Sequence, residues 1–259
     1  MPLSGLAWVP VLCAFMAAPV QAMQCSAKSG PQAAALVELY TSEGCDSCPP
    51  ADRWLSSLAA RGHGTAQVVP IALHVDYWDY IGWKDPYAKA QFSARQRKLA
   101  QVQRARIVYT PQVMLQGEDF RAWHTAEFDQ AVARINAMPA GARIALALDS
   151  GATDAFHVDV KAELLGAAAA SDAELFLASY ENKLMSAVTS GENRGRTLRH
   201  DFVVFEWLGP LAFDAAGRLA GRRVLPLLPK AVPAHSGVVA FVQSRSTARV
   251  LQALMLPVC

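Results

Sequence analysis

Apolar and polar positions fall into two regimes along the chain. Residues 35–42 (Ala-Leu-Val-Glu-Leu-Tyr-Thr-Ser) are mostly apolar, rich in strand formers, and stop at Glu43-Gly44, which predicts a buried strand. Pro49 and Pro50 then suit the first turn of a helix, where backbone N–H groups need no internal acceptor. Trp54, Leu55 and Leu58 follow at helical spacing over residues 51–60, before Gly62. A second strand is predicted over 67–76. Residues 86–104 set Tyr87, Ala90 and Ala94 among Lys89, Arg95, Arg97, Lys98 and Arg104, a helix with a narrow apolar stripe whose charges read as a solvated face. Alternation returns as a hairpin, with a strand at 113–115, a turn at 116–119 and a return strand at 120–124. Thr125 is placed to cap a helix with Phe128, Val132 and Ile135 on one face.

Beyond Pro139-Ala140-Gly141 the style changes to short alternating runs at 144–148, 156–160, 175–180, 200–207 and 238–243. An Ala-rich stretch at 162–173 reads as a loop or a short helix. The two regimes predict an α/β domain over 23–140 followed by an all-β, sandwich-like domain over 141–259, α+β overall. The 259 residues, 53% of them hydrophobic, are enough for two cores.

The formal net charge of +2 creates no field that would mark nucleic acid as a partner. The first 22 residues read as a cleavable export signal: an apolar run over 6–18 precedes Val20-Gln21-Ala22, with small residues at the positions signal peptidase reads. That run is shorter than the ~20 residues a spanning helix needs, and Pro10 and Pro19 interrupt it. A periplasmic or secreted protein is expected, without stable membrane insertion after cleavage. Cys13 leaves with the signal, so Cys25, Cys45, Cys48 and Cys259 remain, with three pairings open to them. The close spacing of Cys45 and Cys48 makes them natural partners and leaves Cys25 with Cys259, a structural bond between the two ends of the mature chain.

A strand that delivers Cys45-Asp46-Ser47-Cys48 to the first turn of a helix predicts a redox-active pair. The helix dipole favours thiolate, which makes Cys45 the nucleophile and Cys48 the resolving thiol. Asp46 beside the nucleophile opposes ionisation and predicts a weakly acidic Cys45. The alternatives are an inert local disulfide or half of a zinc site, the latter disfavoured because no second CxxC or close Cys/His pair is present. Such a strand–CxxC–helix unit is thioredoxin-like. In proteins of that type a proline before the hairpin strand lies cis against the dithiol, and Thr110-Pro111 stands at that place. Glu38, an acid among apolar neighbours, reads either as a buried proton relay for Cys48 or as a residue of the exposed strand face.

Four separated segments add a family resemblance. Residues 40–52 (Tyr-Thr-Ser-Glu-Gly-Cys-Asp-Ser-Cys-Pro-Pro-Ala-Asp), His74-Val75-Asp76-Tyr77-Trp78-Asp79 with Gly82-Trp83-Lys84-Asp85-Pro86, Tyr109-Thr110-Pro111-Gln112, and residues 191–198 with His200-Asp201-Phe202 resemble the secreted bacterial family called domain of unknown function 1223. The resemblance implies a thioredoxin-like domain, usually with a CxxC, followed by a β-rich domain. It implies no activity. Within these segments Trp78, Asp79, Trp83 and Asp85 read as core and turn-capping groups rather than a partner-binding surface, and Glu192, Arg194, Arg196 and Arg199 as a charged hairpin loop.

Three functions compete. The first is an exported thiol–disulfide oxidoreductase acting on protein thiols or disulfides, with a recycling redox partner and no cofactor or metal. The second is a Cu(I)-binding protein using Cys45, Cys48 and His74 or Met114. The third is a binding module in which the dithiol is vestigial.

Overall fold

The structure is a computed structural model that describes residue 1 and residues 24–149, 154–166 and 169–259. The export signal expected over 1–22 lies, but for Met1, outside them. Among the described residues no helix is long and apolar enough to cross a membrane.

The elements run β1 (Gln24–Lys28), β2 (Ala35–Thr41), α1 (Pro49–Ser57), β3 (Val68–His74), α2 (Ala90–Val102), β4 (Gln112–Leu115), β5 (Glu118–Asp119) and α3 (Ala126–Asn136). They continue through β6 (Ala142–Asp149), β7 (Ala155–Leu164), β8 (Ala173–Glu181), β9 (Leu184–Ala187) and β10 (Thr197–His200). Last come β11 (Val203–Ala212), β12 (Arg218–Pro226), β13 (Ser236–Ser244) and β14 (Val250–Pro257). A 3-10 turn occupies Asp76–Ile81.

The expected architecture, a thioredoxin-like α/β domain followed by a sandwich, is not what forms. Strand outweighs helix, 42% against 18%, and the strands assemble into large sheets. One sheet of eight strands has the order β14-β13-β8-β11-β3-β2-β4-β5, so strands from before and after Ala140 share it. The junction is β11 lying parallel to β3, with Val203 opposite Ala72 and the Ala72 N–H donating to the Phe202 carbonyl. A second sheet, β1-β6-β7-β12, stacks against the β8, β13 and β14 end through Leu146, Phe156, Val158, Leu177, Val238 and Ala240. Alternating runs mark β6, β7, β8, β11 and β13 but do not say which sheet each joins, and β1, β12 and β14 fall outside the predicted runs. The Ala-rich stretch expected as a loop or helix lends residues 162–164 to β7 and Ala173 to β8. The free edge of β3 is completed by a strand about 130 residues later in the sequence.

Two cores flank β2, β3 and β4 because successive side chains point to opposite faces. On one face Val37, Leu39, Ala72 and Val113 meet Ala51, Trp54 and Leu55 of α1, its C-cap Leu58, and Phe128 and Val132 of α3. On the other, Leu36, Tyr40, Ile71, Leu73 and Met114 meet Phe92 and Leu99 of α2. Each fully buried leucine or phenylalanine here contributes roughly 1.5–3 kcal/mol of transfer free energy.

Local details depart from the pattern in two places. The hairpin turns at Gln116-Gly117, both at positive φ, and its return strand is only Glu118–Asp119; residues 120–124, expected as that strand, are irregular at 120 and turn at 121–124. Gly117 is required, since a Cβ there would sit 2.1 Å from the Ala248 carbonyl oxygen. Arg95, expected on a solvated face, is buried. Its guanidinium donates to both oxygens of Glu38, at 2.6 and 2.9 Å, and lies over Phe176, Trp207 and Phe241. Thr125 caps α3 as expected, its hydroxyl accepting from the Glu127 N–H.

Candidate functional site

Cys45 and Cys48 form a disulfide at the start of α1, with Cα atoms 5.5 Å apart and Cys48 as the N-cap. Cys25 and Cys259 form the second, joining β1 to the last residue across a sequence separation of 234. Asp46 and Ser47, between the paired cysteines, are exposed, but both sulfur-bearing residues are buried, Cys45 at 1% and Cys48 at 0% exposure. Pro49 and Pro50 remove two N–H groups from the first turn, and those of Ala51 and Asp52 both go to the Cys48 carbonyl. The helix end therefore acts on the sulfurs mainly through its dipole.

Behind the disulfide lies a buried acid–base cluster. The strand ends β2 and β3 supply Thr41 and His74, α1 supplies Asp52, the loop after β2 supplies Glu43, and β10 supplies His200; all are buried, as is Asp85. The His74 Nδ1 is 2.7 Å from Asp85 Oδ2, which also accepts from the Glu43 backbone N–H; the other Asp85 oxygen accepts from that of Tyr87. The Glu43 carboxylate accepts from the Trp83 indole at 2.8 Å and faces the His200 Nε2 at 3.1 Å. Thr41 donates to Asp52, whose carboxylate is 3.9 Å from the His200 Nδ1. The two imidazoles meet edge to face, 5.0 Å apart, with Tyr87 against both. Two buried ring nitrogens, His74 Nε2 and His200 Nδ1, have no hydrogen-bond partner.

The environment sets the protonation states. Burial presses the His74 pKa down, but the Asp85 carboxylate, with Asp52 and Glu43 beyond it, outweighs this and holds it raised at about 8. Burial opposes ionisation of Asp85, yet His74 and the two backbone N–H donors pull its pKa below the usual range. At Asp52 burial prevails over the pull of His200 and His74, so its pKa is raised.

The loop of the β9–β10 hairpin forms a roof bonded to the backbone of the cysteine loop. The buried Asn193 side chain donates to the carbonyls of Glu43 and Cys45, at 2.8 and 2.9 Å, and Glu192 accepts from the Asp46 N–H. Arg196 fixes the Asn193 carbonyl oxygen at 2.8 Å. On another side Trp78 packs against Gly44, where an added Cβ would meet the tryptophan Cβ at 3.1 Å, and donates its indole N–H to the Thr110 hydroxyl at 2.6 Å. The Thr110-Pro111 bond is cis, and this tryptophan ties that turn to the cysteine loop.

Trp78 thus links Thr110 and the cis-Pro111 turn to Gly44, the residue before Cys45, whereas Glu38 lies elsewhere. Glu38 points to the α2 face, paired with Arg95 and accepting from the Tyr40 hydroxyl at 3.0 Å, with the sheet between it and α1. Met114 shares that opposite face, and the Nδ1 of His74 is committed to Asp85. Among the described residues no group of three or more His, Cys, Asp or Glu side chains is placed to hold a metal. Glu43, Asp52, His74, Asp85, Asn193 and His200 all lie inside the family motifs, but no pattern in the sequence joins them. The available signal was their polarity at positions where the strand and helix pattern demands burial.

The sequence profile of the family described as protein of unknown function (DUF1223) matches residues 36–243. No curated protein matches the chain. Two solved structures are similar. The protein AGR_C_4864 of Agrobacterium tumefaciens is 22% identical, with 88% of this chain and 96% of that one covered and a TM-score of 0.55. HBP35 of Porphyromonas gingivalis is 16% identical, with 89% and 76% covered and a TM-score of 0.68. At these identities the likeness concerns the fold alone. The profile match spans most of the chain and takes in the cysteine loop, the tryptophan-rich turn, the cis-proline turn and the hairpin roof, and the chain belongs to the DUF1223 family.

Proposed function

We propose that the protein is a thiol–disulfide oxidoreductase that works outside the cytoplasm on protein thiols or disulfides through Cys45 and Cys48, with a separate redox partner to recycle the pair. The observation that carries this reading is the placement of the disulfide at a helix N-terminus with a buried cluster of acids and histidines behind it. An inert local bond has no need of such a cluster, and unsatisfied buried polar groups cost stability wherever they are kept. The export pattern of the first 22 residues and the second disulfide support the compartment.

In the reducing direction the Cys45 thiolate attacks one sulfur of a substrate disulfide. The other substrate sulfur leaves with the bonding electron pair and takes up a proton, giving a mixed disulfide. Cys48 as thiolate then attacks the Cys45 sulfur, the remaining substrate thiolate departs, and the pair is oxidised by two electrons while the substrate is reduced by two. Partner thiols regenerate the dithiol by the same steps in reverse. Burial of both cysteines means that the Asn193 roof must move aside for a protein substrate. The carboxylates of Asp46 and Glu192 near the nucleophile oppose its ionisation and favour a reducing rather than strongly oxidising pair.

The test is turnover of a model protein disulfide by the purified mature chain with glutathione as reductant. Wild type is expected to accelerate reduction, Cys45→Ser to abolish it, and Cys48→Ser to accumulate a mixed disulfide at Cys45. A wild-type rate no greater than that of Cys45→Ser would overturn the proposal.

A further inference from the structure

A cleft of about 140 Å³ opens between α1 and β10, lined by Pro49, Asp52, Arg53, Thr197, Leu198 and His200 among others. It has room for several waters, each of which occupies ~30 Å³ in the liquid. At its inner end stand two buried ionisable side chains, Asp52 and His200. His200 is 1% exposed at its side chain, and its Nδ1, 3.9 Å from the Asp52 carboxylate, makes no hydrogen bond among the described residues. Its Nε2 faces Glu43, which fixes the ring and leaves Nδ1 as the atom free to exchange a proton.

Asp52 connects this end of the cleft to the disulfide. Cys48 has helical dihedrals, and the Asp52 N–H donates to the Cys48 carbonyl at 3.2 Å. The two side chains are therefore one turn apart on the same helix face, a separation of about 5–6 Å between Cβ atoms. The protein thus brings together Cys48, a buried carboxyl, an imidazole whose Nδ1 makes no hydrogen bond, and a cleft with room for water.

We propose that this cleft is the proton port of the dithiol: Asp52 exchanges the proton of Cys48, and His200 exchanges that of Asp52 with water in the cleft. The inference rests on the oxidoreductase reading and gives it an acid other than Glu38. When an incoming thiolate bonds to the Cys45 sulfur, forming a mixed disulfide, the Cys45–Cys48 bond breaks and its electron pair leaves on the Cys48 sulfur. The Asp52 carboxyl gives it a proton and becomes a carboxylate, His200 in its protonated form restores that proton, and cleft water reprotonates His200. One proton enters for each bond broken, and oxidation runs the steps backward. Burial favours the protonated form of Asp52, the form the reduction step needs. The groups facing His200 are Glu43, Asp52, His74 with Asp85 behind it, and Tyr87, with exposed Arg53 and Arg199 at the cleft rim. Asp52 and His200 are positioning residues here, acting through the cysteine rather than on the substrate.

The experiment is the pH profile of the exchange rate with glutathione for the full mature chain, wild type and variants, each checked for folding by circular dichroism. Asp52→Asn is expected to slow exchange on the order of 10²-fold near neutral pH and to remove one ionisation from the profile. His200→Ala is expected to be slow and to recover when imidazole is added, since the cleft admits a ring of that size. Thr197→Trp plugs the mouth at an exposed position and leaves the buried groups in place; a several-fold loss is expected, which keeps the test valid should a core variant fail to fold. Variants that fold and keep the wild-type rate and profile would overturn the port while leaving the oxidoreductase standing. Absence of exchange by wild type at every pH would overturn both.

Discussion

The two faces of the β2–β3–β4 strands each bury carboxylates, and they treat them in opposite ways. On the α2 face Glu38 is fully committed: Arg95 binds both oxygens, Tyr40 adds a third hydrogen bond, and three aromatic rings enclose the guanidinium. On the α1 face Glu43, Asp52 and Asp85 share two histidines, two ring nitrogens are left over, and a cleft reaches the inner end. A satisfied network in a dry core holds a structure together. In the proposed reading, a network kept incomplete beside a disulfide is the one that gains and loses protons.

Breaking the first network gives the largest expected effect. Glu38→Gln strands the Arg95 charge in the core and is expected to cost about 3–5 kcal/mol in denaturant unfolding, with the pH profile of exchange unchanged. An altered profile would mean that the two faces communicate. Removal of the terminal bond by Cys25→Ser is expected to cost about 2–5 kcal/mol without changing exchange at Cys45 and Cys48, which separates the structural disulfide from the reactive one.

The third test uses pH alone. The His74 pKa is raised by folding from its ordinary 6.5 to about 8, so the stability it contributes is complete below pH 6.5 and is lost as pH rises through 8. The expected loss is on the order of 2 kcal/mol between those limits. It is read from unfolding midpoints at several pH values, and His74→Gln should flatten it. The smallest effect is expected at the roof. Asn193→Ala removes the bonds to the Glu43 and Cys45 carbonyls at a cost of about 1–3 kcal/mol and should speed reduction of the pair by small thiols. An unchanged reduction rate would show that the hairpin does not limit access.

Much of this was legible in the residues, and what was not has a physical reason. The order of strands and helices from residue 35 to 136 follows from period and punctuation, and the cysteine spacing sufficed for both disulfides. The assembly of strands was not legible, because the alternation in β8, β11 and β13 fits an independent sandwich as well as an extension of the β3 edge. Arg95 misled because a charge within a polar helix is usually solvated, whereas here the buried Glu38, on a strand three elements earlier, draws it inward together with Gln243 and three aromatic rings. The site cluster was missed because its members come from five places in the chain, residues 43, 52, 74, 85 and 200, and no local pattern relates a histidine ending one hairpin to a carboxylate on a distant helix.

The reduction potential of the Cys45–Cys48 pair, measured in the mature protein by equilibration with glutathione or a dithiol couple, bears most directly on the oxidoreductase reading. A reversible two-electron couple between about −280 and −120 mV is expected, toward the reducing end because of Asp46 and Glu192, and absent from Cys45→Ser and Cys48→Ser. A pair that stays oxidised below about −300 mV, as structural disulfides do, would contradict it.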